Sequence, residues 1–130
     1  MIAIDTNVLV RFLTNDSPAQ GAAAKQLIDS QQLWISKTVV LETEWVIRGV
    51  YRMDRNAVDT AFRQLLGLTR LTFEDRPQVL QALSWFRSGM DFADALHLAS
   101  SASVNGFATF DRGLAKTAAT IPEAPEVLRL

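Results

Sequence analysis

Two short apolar runs, Met1-Ile2-Ala3-Ile4 and Phe107-Ala108-Thr109-Phe110, each end in an aspartate, Asp5 or Asp111, and pass directly into sequence with helical character. An apolar run of this length closed by an acidic residue reads as a buried strand handing over to a helix, and strand-like and helix-like segments alternate along the whole chain. The pattern predicts an α/β domain of three layers, α/β/α, with a central, mainly parallel sheet. In such sheets ligands bind beyond the carboxyl ends of the strands, where residues from distant segments meet.

Glu42 and Asp94 join Asp5 and Asp111 as acidic residues near a strand end or in an early helical turn. Two like charges ~4 Å apart repel by roughly 1 to 4 kcal/mol at dielectrics between those of water and a protein surface. A cluster of four would therefore stay ionised only around bound cations. Oxygen donors select hard ions, so Mg²⁺ or Mn²⁺ is the expected cofactor.

The remaining chemistry is narrow. With no cysteine and a single histidine, His97, among 130 residues, the chain cannot build a zinc site, a thiolate-ligated cofactor or a thiol nucleophile. A hydrophobic content of 48% suits one domain over residues 1–130 with a sizeable core. No apolar run reaches the length of a membrane span, and no basic leader precedes the first strand, so a cytoplasmic location with no membrane partner is expected. A net charge of −1 argues against a broad basic face for nucleic acid. Arginines outnumber lysines, which favours a few directed phosphate contacts.

Ser17-Pro18-Ala19-Gln20 predicts a capped helix start running to about Asp29, followed by a strand at Leu33 to Ser36 and a largely buried helix from Thr38 to about Tyr51. Asp54 should cap a helix to about Leu68 before a strand at Arg70 to Phe73. A helix from Asp75-Arg76-Pro77 to Gly89, another from Asp91 to about Ser103, a strand at Phe107 to Phe110 and a short helix at Arg112 to Lys116 complete the reading, with an edge strand or a draped tail after Ile121.

Each acidic residue also has a plain structural role open to it. Asp5 could be a helix cap, and Asp91 is the expected N-cap of a helix in which Asp94 occupies the third position, favoured there by the helix dipole. On the helix from Thr38, Glu42 shares a face with Val39, Trp45 and Val46, whereas Glu44 aligns with Arg48 and Arg52 as on a solvated face; Glu42 is thus expected against apolar surroundings as the better ligand. His97, between Leu96 and Leu98, is expected to pack. Core packing is the first expectation for Trp34, Trp45 and Trp85.

Taken together the segments resemble PIN-domain ribonucleases, and more narrowly the VapC-type toxins of toxin–antitoxin pairs. Ile4-Asp5-Thr6-Asn7 resembles the family's first motif, Leu41-Glu42 its second, Asp91-Phe92-Ala93-Asp94-Ala95-Leu96-His97 its third and Ala108-Thr109-Phe110-Asp111 its fourth. The resemblance implies metal-dependent hydrolysis of RNA, with transfer RNA the commonest target class. Asp5, Glu42 and Asp94 would be the main ligands, Asp111 a further or water-mediated one, and Thr6, Asn7 and Thr109 the residues that hold them by hydrogen bonds. It further implies a small antitoxin partner and a homodimer. A Mg²⁺-binding phosphoreceiver is the alternative from another class, but Asp5 stands alone where receivers carry an acidic pair, and Lys116 precedes Thr117 where they have lysine before proline. A haloacid-dehalogenase-like phosphatase would want an aspartate where Asn7 stands. A catalytically idle PIN fold that only binds RNA or protein is the third reading.

Overall fold

Residues 1–130 are described by a computed structural model, and they divide into two compact units, Met1–Arg76 and Pro77–Leu130. No helix is long and apolar enough to cross a membrane.

The first unit runs β1 (Ile2–Ala3), α1 (Thr6–Leu13), α2 (Pro18–Ser30), β2 (Leu33–Ile35), α3 (Lys37–Gly49), α4 (Arg55–Leu66) and β3 (Leu71–Phe73). Its sheet has the order β1-β2-β3, and both pairings are parallel, with Ile2 opposite Leu33 and Leu33 opposite Leu71. Parallel neighbours need a crossover, and helices supply each one. Leu33 and Ile35 are fully buried while Trp34 between them is half-buried, so both faces of β2 are at least partly covered. α1 packs against α2 and α3. Leu9, Ile28, Val40, Ile47, Val58, Phe62 and Leu65 fill the interior, each burial stabilising the fold by roughly 1.5–3 kcal/mol.

Local chemistry sets the helix starts. Ser36 Oγ accepts from Val39 N at 3.2 Å and Asp54 Oδ1 from Ala57 N at 2.8 Å, each satisfying a donor that the first helical turn leaves unpaired. Ser17 does not cap α2 through its side chain, although Pro18 opens the helix as expected. Gln20, three residues on from Ser17, accepts from Arg11 Nε at 2.6 Å. Lys37 binds the end of β3 twice, through its backbone N–H to Glu74 Oε1 at 2.8 Å and its ammonium to Asp75 Oδ2 at 2.9 Å.

The second unit follows with α5 (Arg76–Arg87), which opens at the last residue of the first, then α6 (Phe92–Ala99), β4 (Phe107–Thr109), α7 (Arg112–Ala119) and β5 (Val127–Arg129). α5 ends in a Schellman turn: Gly89 N donates to Phe86 O at 3.0 Å and Met90 N to Trp85 O at 3.1 Å, with Gly89 at φ +117°. Phe86 and Phe92 meet edge to face with centroids 5.6 Å apart, joining α5 to α6. α6 stops at Ala99, short of the expected Ser103: the backbone tightens to a turn in which Ser101 N donates to Leu98 O at 3.1 Å, and Ser101 Oγ donates to His97 O at 2.9 Å. β4 and β5 pair in parallel with Phe107 opposite Val127, so of the two alternatives open for the tail, edge strand or draped segment, the strand is the one present. The α/β class and the parallel pairing are as the sequence predicts. The strands form two ladders, of three and of two, rather than one hydrogen-bonded sheet.

Candidate acidic site

Asp5 follows β1 and is the N-cap of α1. Its Oδ1 accepts from Thr6 N at 2.8 Å, while the side chain stays exposed. Thr6 is buried, and a buried hydroxyl needs a partner. It finds one in Glu42, donating from Oγ1 to Oε1 at 2.5 Å. One residue thus ties two candidate carboxylates together, its amide on Asp5 and its hydroxyl on Glu42. Thr6 is one of the residues expected to hold metal ligands by hydrogen bonds; the structure shows its bonds to Asp5 and Glu42. Asn7, expected in the same role, is exposed on α1 and lines a surface cavity of about 360 Å³ with Val8, Arg11, Gln20 and Leu27.

The helix-face assignment on α3 is reversed in the structure. Glu44, expected in solvent, is 2% exposed and lies on the buried face with Val40, Thr43 and Ile47, where Arg48 Nε donates to its Oε2 at 2.6 Å. Glu42 is exposed, and Trp45, expected in the core, is 61% exposed. The i,i+4 pairing of Glu44 with Arg48 is real, but it brings a charge inward: the guanidinium covers the buried carboxylate and keeps its own outer edge in water. Arg52 lies beyond the helix end with φ +56° and does not extend the stripe.

In the second unit Asp91 caps α6, its Oδ2 accepting from Asp94 N at 3.1 Å. Asp94 then stands half-buried in the first turn, as expected. Burial, followed by the negative charges of Asp91 and Asp111, holds its carboxyl above the ordinary 3.8, with His97 pulling the other way. Asp111 caps α7 through Oδ1, which accepts from Leu114 N at 3.0 Å, leaving Oδ2 outside the cap. Thr109 Oγ1 accepts from the Asp111 backbone N–H at 3.0 Å and so fixes the turn that presents this carboxylate. His97 is exposed rather than packed; α6 buries Leu96 and Leu98 on either side of it and turns position 97 outward.

Other features of the surroundings carry no sequence signal. A Cβ placed on Gly113 would lie 3.2 Å from Asp111 Oδ1, so this glycine leaves the carboxylate its room. In the first unit Asp16 accepts from Tyr51 Oη at 2.5 Å and from Arg11 Nη1 at 2.9 Å, a cluster drawn from positions 11, 16 and 51 that no motif would connect. The Tyr51 hydrogen bond, chiefly, holds the Asp16 carboxyl below its ordinary value.

Each unit therefore presents its own acidic pair, Asp5 with Glu42 and Asp94 with Asp111. No group of three or more histidine or carboxylate side chains is gathered closely enough to cage a metal ion. The donors fit a hard divalent ion in kind, being carboxylate oxygens with neither sulfur nor buried imidazole among them, and the repulsion felt by Asp94 is of the sort a cation relieves.

Comparison with curated proteins gave no match. The family model described as PIN domain matches residues 2–120, a span that contains all four acidic positions and takes in most of each unit. The chain belongs to the PIN domain family, a nuclease-type fold.

Proposed function

We propose that this protein is a Mg²⁺- or Mn²⁺-dependent endoribonuclease that hydrolyses RNA phosphodiester bonds, and that it serves as the toxin of a toxin–antitoxin pair. The observation that carries the proposal is the set of acidic residues within a PIN chain: Glu42 accepts a hydrogen bond from Thr6, and Asp94 stands half-buried in the first turn of α6, its carboxyl held above the ordinary range by burial first and by the charges of Asp91 and Asp111 second. A bound cation would offset both the burial and the neighbouring charges that disfavour the ionised Asp94.

Asp5, Glu42, Asp94 and Asp111 would hold the metal. When bound, the ion would lower the pKa of a coordinated water and neutralise charge on the phosphate in an in-line displacement. The chain's own residues supply the rest. Thr6 orients Glu42, Thr109 sets the Asp111 turn, and the amides at the start of α6 and α7 are engaged by Asp91 and Asp111, so those helix ends are satisfied before substrate arrives. Thr6 engages one oxygen of the exposed Glu42 carboxylate, Oε1.

Purified protein incubated with total transfer RNA should cleave it in Mg²⁺ or Mn²⁺ and stop in EDTA; cleavage indifferent to the chelator would defeat the metal reading. Labelling of Asp5 by acetyl phosphate would favour the receiver reading. For the toxin role, expression alone should arrest growth, and a small co-expressed antitoxin should bind the protein and restore it. The same reading expects a cytoplasmic homodimer. Growth arrest that persists in Asp94→Asn would separate toxicity from this site.

A further inference from the structure

The most exposed large apolar side chain in the protein is Phe110, at 79%, and it lies immediately before Asp111. Its position is defined. Thr109 before it donates no freedom to the turn: its carbonyl accepts from Leu130 N at 2.8 Å and its hydroxyl from Asp111 N at 3.0 Å, while Asp111 caps α7. The ring is therefore carried on backbone anchored at both sides, not on a loose loop. Arg112 follows at the first position of α7 and is exposed. Three consecutive residues thus supply an aromatic face, a candidate metal ligand and a guanidinium.

We infer that Phe110 is a base-stacking residue that positions single-stranded RNA next to the acidic site, with Arg112 meeting a phosphate of the same strand. The inference rests on the ribonuclease reading above and extends it to the class of substrate. A phenyl ring offers a nucleobase its π-face without regard to sequence, and base–aromatic stacking is a principal means by which proteins hold unpaired strands. In a protein of net charge −1, stacking supplies affinity that a general basic surface cannot. Arg112 beside it matches the charge and the planar fork of phosphate recognition. A paired duplex would bury its bases from Phe110, so unpaired loops and ends are the substrates selected. The exposed Leu128 on the neighbouring strand and Leu130 just after it make a protein contact the competing use of this face, and the experiment separates the two.

A fluorescein-labelled single-stranded RNA of mixed sequence would be titrated in EDTA, with binding read by anisotropy, and then cleaved in Mg²⁺. Phe110→Ala should weaken binding by about ten-fold, with the loss in cleavage carried by KM. Phe110→Trp should restore both, whereas Phe110→Leu, apolar but without a π-face, should not. Unchanged binding in the alanine variant, or equal rescue by leucine and tryptophan, overturns the inference. So does a shift in oligomeric state by light scattering with RNA affinity unaltered, which would assign Phe110 to a protein contact. Phe110-dependent RNA binding without cleavage would uphold the inference while removing the ribonuclease reading. Cleavage independent of Phe110 would do the reverse, and a protein that neither binds nor cleaves RNA loses both.

Discussion

Glu42 and Glu44, two residues apart on one helix, should separate activity from stability. Glu44→Gln removes the charge from a carboxylate that is 2% exposed and bonded to Arg48 at 2.6 Å. Breaking a fully buried pair costs about 3–5 kcal/mol, and a hydrogen bond to a charged group about 1.5–3. The Arg48 side chain is 42% exposed, so its charge returns to water when the pair is lost, and the estimate falls to about 2 kcal/mol. With an unfolding entropy near 2.1 cal/mol/K per residue over 130 residues, that is a fall of roughly 7 °C in Tm. Glu42→Gln changes an exposed side chain whose hydrogen bond from Thr6 an amide oxygen can still accept, so stability should move by no more than about 0.5 kcal/mol. Its metal-dependent cleavage should drop by about 100-fold or more, since even indirect partners of metal ligands account for 10- to 100-fold. The assay is thermal unfolding alongside initial cleavage rates corrected for the folded fraction. Glu44→Gln that melts like the wild type yet has lost cleavage, with Glu42→Gln still active, would refute the assignment.

Asp94→Asn should raise Tm in EDTA at neutral pH. Because the native carboxyl titrates above 3.8, its ionisation opposes folding; the penalty is absent below pH 3.8, where both states are protonated, and is complete above the raised native value, so the gap between variant and wild type should open as pH rises between them, and a constant gap would contradict this. Gly89→Ala places a side chain at φ +117° with open space around it, so a purely conformational cost of roughly 1–3 kcal/mol should appear in urea unfolding. Gly113→Ala should do two things at once: add about 0.5–1 kcal/mol of helix propensity to α7 and crowd Asp111 Oδ1, the cap of that helix, so that the gain is offset and Tm changes little while cleavage slows. A rise in both would mean that the carboxylate moves aside without consequence.

The helix starts were legible because they are written in single residues. Asp54, Asp91 and Pro18 act through bonds to their own turn, or through a fixed φ, and need no distant partner. The strand cores were legible because short apolar runs lay between helical stretches. The buried face of α3 was not, because Val39-Val40-Leu41 and Trp45-Val46-Ile47 put apolar residues on more than half of the helix circumference. Which arc turns inward is then decided by the α1 and α4 side chains packed against it. The spacing of Glu44 and Arg48 is equally compatible with a solvated pair and a half-buried one. Thr6 as the link between Asp5 and Glu42 could be expected from the motif, but its hydroxyl reaches a residue 36 positions away, which no local pattern specifies. His97 failed in the opposite sense: flanking leucines suggested burial, and helical rotation sends the residue between them outward.

Every strand pairing joins residues remote in sequence: position 2 with 33, 33 with 71, and 107 with 127. There is no hairpin to nucleate a sheet, so the helices can form early while each ladder must wait for loop closure over a long stretch of chain. During synthesis β1 has no partner until β2 has emerged, and β4 has none until Val127 to Arg129 have been added. The turn that carries Phe110 and Asp111 takes one of its backbone bonds from the amide of Leu130. That turn is therefore complete only once Leu130 has been added, and a chain cut before Val127 should lack the anchor while keeping α5 and α6.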